Sequence, residues 1–175
     1  INRAGPRTQS ALLEAMEERQ VTVDGVTRVL PFPFIVLATQ NPVELEGTFP
    51  LPEAQLDRFF VRVALGYPTR SEERRILQRF RTGQPLTDLK PVVTVDELHT
   101  ATQAVREVHI SSAVEDYVLD LVQATRADPA VLLGVSPRGA LALYRGSQAL
   151  AAIKGRDFVR PDDIKALAAP ILAHR

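Results

Sequence analysis

The strongest constraint on this chain lies beyond Pro68, where one helix start succeeds another and no convincing strand appears. Thr69 stands three residues before Glu72, Thr94 before Glu97, and Ser112 before Glu115. In each pair a hydroxyl can accept the third helical N–H while the carboxylate reaches back to the cap's own N–H. Helical periodicity continues from two of these starts, with Leu98, Ala101, Val105 and Val108 on one face, then Val114, Val118, Leu121 and Val122. Ser136-Pro137 opens a fourth helix to about Ile153, and Pro161-Asp162-Asp163 a fifth carrying Ile164, Leu167, Ala168 and Ile171. A linker marked by Gly and Pro, Gly83 to Pro91, separates the first helix from the rest. Residues 69–175 are therefore expected to form a helical bundle.

Residues 1–68 have a different character. Gly5 to Arg19 reads as a helix, with Leu12, Ala15, Met16 and Arg19 at helical spacing and Glu14, Glu17 and Glu18 largely on the other side. Two short strand-like runs around Asp24-Gly25, from Val21 to Val29, read as a hairpin. The apolar, β-branched run Phe34 to Ala38 reads as a buried strand that stops at Thr39-Gln40-Asn41-Pro42. A loop to Pro52, a short helix around Gln55 and a second strand from Phe59 to Leu65 complete this part, which ends at Gly66-Tyr67-Pro68. The expected fold class is a partial α/β domain, 1–68, followed by an all-helical one, 69–175.

Composition excludes several functions. Twenty-one basic and 21 acidic side chains balance to zero, which gives no electrostatic case for nucleic acid. There is no cysteine, and the three histidines, His99, His109 and His174, are widely spaced, so no metal centre is expected. No apolar run approaches the roughly 20 residues of a membrane span, and no signal peptide is visible, so a cytoplasmic protein is expected. The chain opens on Ile1 rather than Met and reads as part of a longer protein.

Polar residues at the carboxyl end of a buried strand lie where open α/β sheets bind ligands. Taken together, Ile1-Asn2-Arg3-Ala4, Leu12 to Val21 (LLEAMEERQV), Ala38-Thr39-Gln40-Asn41-Pro42, Leu51 to Phe59 (LPEAQLDRF) and Ser136-Pro137-Arg138 resemble the second half of the ATPase module of MoxR-type AAA+ proteins. The resemblance covers essentially the whole chain. It implies a P-loop core remnant with sensor 1 and a β-hairpin, then a helical lid. No G-x-x-x-x-G-K-[ST] motif occurs, and the acidic pair that would precede Ile1 and hold magnesium is not in the sequence. ATP and Mg2+ are thus implied for the parent, while this stretch alone is expected neither to bind ATP tightly nor to hydrolyse it.

The resemblance assigns Asn41 to sensor 1, where an uncharged amide contacts the γ-phosphate or orients water. Capping the loop before Pro42 is the plainer alternative. Arg58 matches the arginine finger, a permanent planar cation delivered to a neighbouring subunit's phosphates. An ion pair with Asp57 or Glu53 is the alternative, and those two acids are expected to support rather than react. Arg138 matches sensor 2, at a helix start whose free N–H groups already favour an anion. It is expected, like Asn41, to act on its own subunit's nucleotide or close to it. Tyr67, Pro68 and Ile76 fall where the family's hinge lines the adenine. Arg3 could reach a subunit boundary, and the Val21–Val29 hairpin a pore or client; solvated surface is the alternative for both.

The implied function is ATP hydrolysis at the boundaries of a homo-oligomeric, hexameric ring that remodels or matures a partner, often one with a VWA domain. A magnesium-chelatase-like motor subunit and a non-catalytic helical interaction module are the alternatives. A helical DNA-binding domain is a more distant one, since no basic helix face stands out.

Overall fold

The structure, a computed structural model, describes residues 3–40, 49, 51–81, 83, 86 and 89–175. Ile1, Asn2, Asn41, most of the expected loop from Pro42 to Pro52 and part of the expected linker lie outside the described residues. The elements in order are α1 (Pro6–Glu18), β1 (Gln20–Val23), β2 (Val26–Val29), α2 (Glu53–Leu56), α3 (Arg70–Phe80), α4 (Val95–Arg106), α5 (Ser112–Ala127), α6 (Pro137–Ile153) and α7 (Pro161–Leu172).

The main core is built from residues 108 to 171. Val114 and Val118 of α5, Ala142, Leu143 and Ala151 of α6, and Ile164 and Ile171 of α7 pack with Val108, Ile110 and Val159. Leu143, Ala151 and Ile164 are wholly buried. Helices α6 and α7 approach closely at Gly146, where an added Cβ would stand 2.9 Å from Ile171 Cδ1 and 3.4 Å from the Phe60 ring. A glycine at that point lets backbone meet side chain without a gap. The segments entering α5 and α7 are stitched together, with His109 N–H donating to the Asp157 carbonyl and Val159 N–H to that of His109.

Buried polar groups in this region have partners, as burial requires. Gln148 Nε2 donates to the Val108 carbonyl at 2.9 Å. Asp163, 1% exposed, accepts from Arg156 Nη2 at 2.7 Å, Lys154 Nζ at 3.2 Å and the Arg160 N–H at 3.0 Å. Burial alone would raise its carboxyl pKa, but these donors and the nearby Arg156 charge hold it below the ordinary value.

Both threonine caps form as expected: Thr69 and Glu72 at α3, Thr94 and Glu97 at α4. The Ser112–Glu115 box does not. Ser111 occupies the N-cap without a side-chain bond, so Glu115 sits one position too late to reach back. In α4 a half-buried face runs through Leu98, Thr102 and Val105, with Ala101 exposed. Arg19, expected on the apolar face of α1, is instead its C-cap, exposed and left-handed at φ 52°.

The hairpin obeys its sequence closely. Val21 pairs with Arg28 and Val23 with Val26, and Asp24 (φ 52°) and Gly25 (φ 76°) make the turn. Two positive φ values in a two-residue loop match the right-handed twist of the strands. This is the one sheet among the described residues. The runs Phe34–Ala38 and Phe59–Leu65, expected as sheet strands, form no regular secondary structure, the second opening on a bend at Phe59-Phe60, and join no ladder among the described residues. Along the first run burial still alternates: Phe34 and Val36 are half-buried, Ile35 and Leu37 exposed. The second run gives its backbone groups to the helical part instead. Arg62 N–H donates to the Pro170 carbonyl at 2.8 Å, and the Phe59 carbonyl accepts from Arg175 Nη2 at 2.6 Å. A strand completes itself only against a neighbour, and no neighbouring strand is among the described residues.

Candidate functional site

The start of α6 is fixed from below. Val135, buried, donates its N–H to Thr125 Oγ1 of α5 and accepts from Arg126 Nε at its carbonyl. Ser136 then serves as N-cap, accepting the Gly139 N–H at 3.1 Å, and Pro137 takes the first helical position. Arg138 is thereby held in the opening turn. The anion at this helix start comes from the protein itself. Ser136 Oγ donates to the Asp57 carboxylate, 3.0 and 2.9 Å from its two oxygens.

Asp57 and Arg58 come directly after α2, and their side chains diverge. Asp57 also accepts from Arg175 Nη1 at 2.8 Å. The Arg175 side chain, 2% exposed, further bonds the carbonyls of Asp57, Phe59 and Ile171. His174 Nε2 donates to the Phe59 carbonyl at 3.0 Å, while its buried Nδ1 has no partner. Burial pushes the His174 imidazole pKa down, and the charges of Arg175 and Arg62 add to that; the Phe59 bond and Asp57 oppose it. Asp57 thus ties α2 to the helical part.

Arg58 turns the other way and meets α1. Its Nε donates to Glu17 Oε2 at 2.6 Å. Glu17 Oε1 accepts from Arg138 Nη2 at 2.5 Å, and Arg138 Nη1 lies 3.8 Å from Asp57 Oδ2. One carboxylate therefore bridges the two arginines singled out in the sequence, from elements 80 residues apart along the chain by the positions of Arg58 and Arg138. The Arg58 side chain is 28% exposed and that of Arg138 44%. The hydrogen bond from Arg58, with the charges of both guanidinium groups, holds the Glu17 carboxyl below its ordinary pKa against the effect of its partial burial. A guanidinium has five N–H donors, so both arginines keep donors for an incoming anion. The expected partner of Arg58, Asp57 or Glu53, is replaced by Glu17.

Tyr67, Pro68 and Ile76 come together on an open groove shared with Leu65, Arg75 and Arg79, apart from the arginine cluster. Tyr67 is almost fully exposed. Asn41 lies outside the described residues, and Arg3 is exposed just ahead of α1. No group of three or more His, Asp or Glu side chains able to hold a metal ion occurs among the described residues.

Sequence reasoning missed Glu17 and Arg175 as site residues. Glu17 reads as one of three acids on a solvated helix face, and nothing local separates it from Glu14 or Glu18. Arg175 stands at the end of the sequence, after an apolar helix, and only its burial reveals its role.

Residues 1–61 match the family model described as ATPase family associated with various cellular activities (AAA), and residues 123–175 match the AAA lid domain. A Bacillus subtilis relative, the uncharacterized protein YeaC, is 50% identical over the whole chain, which covers 55% of its length. The chaperone MoxR1 of Mycobacterium tuberculosis is 40% identical, again over the whole chain and 48% of its own length. The chain spans about half the length of the curated relatives it matches. A crystal structure of a candidate ATPase from Cytophaga hutchinsonii superposes with a TM-score of 0.92 at 40% identity, covering 100% of this chain and 56% of that one.

Proposed function

The chain belongs to the MoxR-type AAA+ ATPases, and from that premise we propose that it supplies the arginine-bearing side of an ATP-hydrolysing site between subunits. The observation that carries this reading is the shared carboxylate: Arg58 and Arg138 of one protomer are bonded to opposite oxygens of Glu17. Two guanidinium groups held by one anchor face one ligand. If Arg58 reaches a neighbour's nucleotide, Arg138 reaches the same nucleotide. On this reading Arg138 acts on the neighbour's nucleotide rather than on that of its own subunit.

The chain's groups fit the nucleotide. Arg58 and Arg138 suit the anionic end of a triphosphate, where planar, permanent cations offset charge developing on a phosphoryl group. Tyr67, Pro68 and Ile76, in their open groove apart from the arginines, suit the flat apolar ring of the subunit's own nucleotide. Magnesium, where bound, shields the phosphate charge during hydrolysis; its ligands and Asn41 belong to parts of the site beyond the described residues. With the chain divided at Pro68, the finger belongs to the core and Arg138 to the lid, and the Glu17 bridge joins the two. We assign the resulting work to remodelling or maturation of a client, with a VWA-domain protein as the implied partner, in a cytoplasmic six-membered ring. No helix among the described residues is long and apolar enough to cross a membrane.

The test uses the whole ATPase module. Arg58→Ala is expected to lower kcat by roughly a thousandfold or more while nucleotide binding persists. Mixing Arg58→Ala subunits with subunits lacking the phosphate-loop lysine is expected to restore turnover, because one interface type is then intact. Mixing Arg58→Ala with Arg138→Ala is expected to restore none, since both residues are needed from the same protomer. Recovery in that second mixture would return Arg138 to its own subunit's nucleotide, and normal turnover of Arg58→Ala alone would remove the finger role.

A further inference from the structure

Glu17 is placed where its own helix disfavours it. It lies in the last turn of α1, beside carbonyl groups that carry negative partial charge, and Arg138 lies in the first turn of α6, beside N–H groups that carry positive partial charge. Each helix dipole opposes the charge it bears. Both side chains are substantially solvent-exposed, and exposed ion pairs add little to stability. Local energetics therefore do not account for the bridge. Geometry does: without an anion between them, the two like-charged guanidinium groups would separate.

We propose that Glu17 is a positioning residue. It holds Arg58 of the core side and Arg138 of the lid side as one ordered pair, ready to be delivered together to a triphosphate. The inference rests on the reading of Arg58 and Arg138 given above. Its physical basis is that each guanidinium is restrained by one strong charge-assisted hydrogen bond while retaining further donors. Orientation is thus prepared before the phosphate arrives, which is where positioning contributes to rate. A glutamate carboxylate is charged through the neutral range, and the Arg58 hydrogen bond lowers the Glu17 pKa further. Neighbouring Glu14 is occupied differently, accepting from Thr22 of the hairpin, so it does not duplicate the role.

Glu17→Gln is the informative variant. The amide keeps one acceptor and turns an N–H2 group toward the second arginine, so the pair must splay. In the whole ATPase, kcat is expected to fall about tenfold, with the KM for ATP changed less than about twofold. Glu17→Asp, which keeps the charge on a shorter arm, is expected to recover part of the loss. A second readout needs no turnover. In the 175-residue chain, proton exchange at Arg58 Nε–H is expected to quicken about tenfold in Glu17→Gln. Exchange at Arg175 Nε–H, bonded to the Ile171 carbonyl, is expected to stay unchanged. Wild-type kcat, an unchanged Arg58 signal, or acceleration at Arg175 as well would each overturn the positioning role. Full activity in Arg58→Ala and Arg138→Ala would instead strike at the underlying reading of the two arginines, so the two failures are distinguishable.

Discussion

Residues 108–175 and the described residues of 30–80 are built from similarly apolar sequence, yet most of their large apolar side chains end in opposite states. In the former, Leu143 and Ile164 are wholly buried and Asp163 is matched by three donors. In the latter, Leu37 is 94% exposed, Leu65 95%, and no residue of α3 is buried. The difference lies in how each secondary structure satisfies its backbone. A helix closes its own hydrogen bonds and needs a neighbour only for its apolar stripe. A strand needs a neighbour for both. Helices α5 to α7 provide stripes for one another, whereas Phe34–Ala38 and Phe59–Leu65 have no paired strand among the described residues. An apolar run therefore forecasts a demand for burial; whether the demand is met depends on what else is present.

The largest expected contrast tests this directly. Leu143→Ala should cost about 2–5 kcal/mol through lost contacts and a residual cavity. Leu37→Ala should change stability by about 0.5 kcal/mol or less. Urea denaturation of the two variants, with a common slope, measures both; comparable midpoints would break the comparison.

A smaller effect should come from acidification. The folded-state pKa of His174 lies below its ordinary 6.5. As pH falls through that value the unfolded chain takes up the proton first, so the folded state loses stability. Above about pH 6.5 the contribution is intact. Melting temperatures at about pH 7.5 and about pH 5.5, on either side of the ordinary histidine value, should show the loss. His174→Gln should reduce the pH dependence. An unchanged dependence in that variant would assign it to other groups.

The smallest global effect is expected at Thr69→Ala. Removing this cap costs α3 about 1 kcal/mol locally. Because no residue of α3 is buried, hydrogen exchange should accelerate within Arg70–Phe80 while protection in α6 stays as it was. A matching loss in α6 would show the two regions to be coupled.

Legibility in the sequence tracked the range of the interaction. The Asp24-Gly25 turn, both threonine boxes and the Ser136-Pro137 start are contacts over two or three residues, and each formed as expected. Ser112–Glu115 failed by one residue, because a neighbouring serine took the cap. Arg58 and Arg138 stood out through their motifs, which are contiguous. Their common anchor did not, because Glu17 looks like any acid on a solvated face until α1 is set beside α2 and α6.

The sequence by itself determined where helices start, where the hairpin turns, and which family the motifs resemble. These depend on local sterics, on hydrogen bonds between near neighbours and on contiguous residues. Only the tertiary structure decided that Glu17 joins Arg58 to Arg138, that Asp57 occupies the start of α6, and that Arg175 is buried. Those outcomes depend on which charged groups meet after distant segments pack, and spacing along the chain carries no record of that.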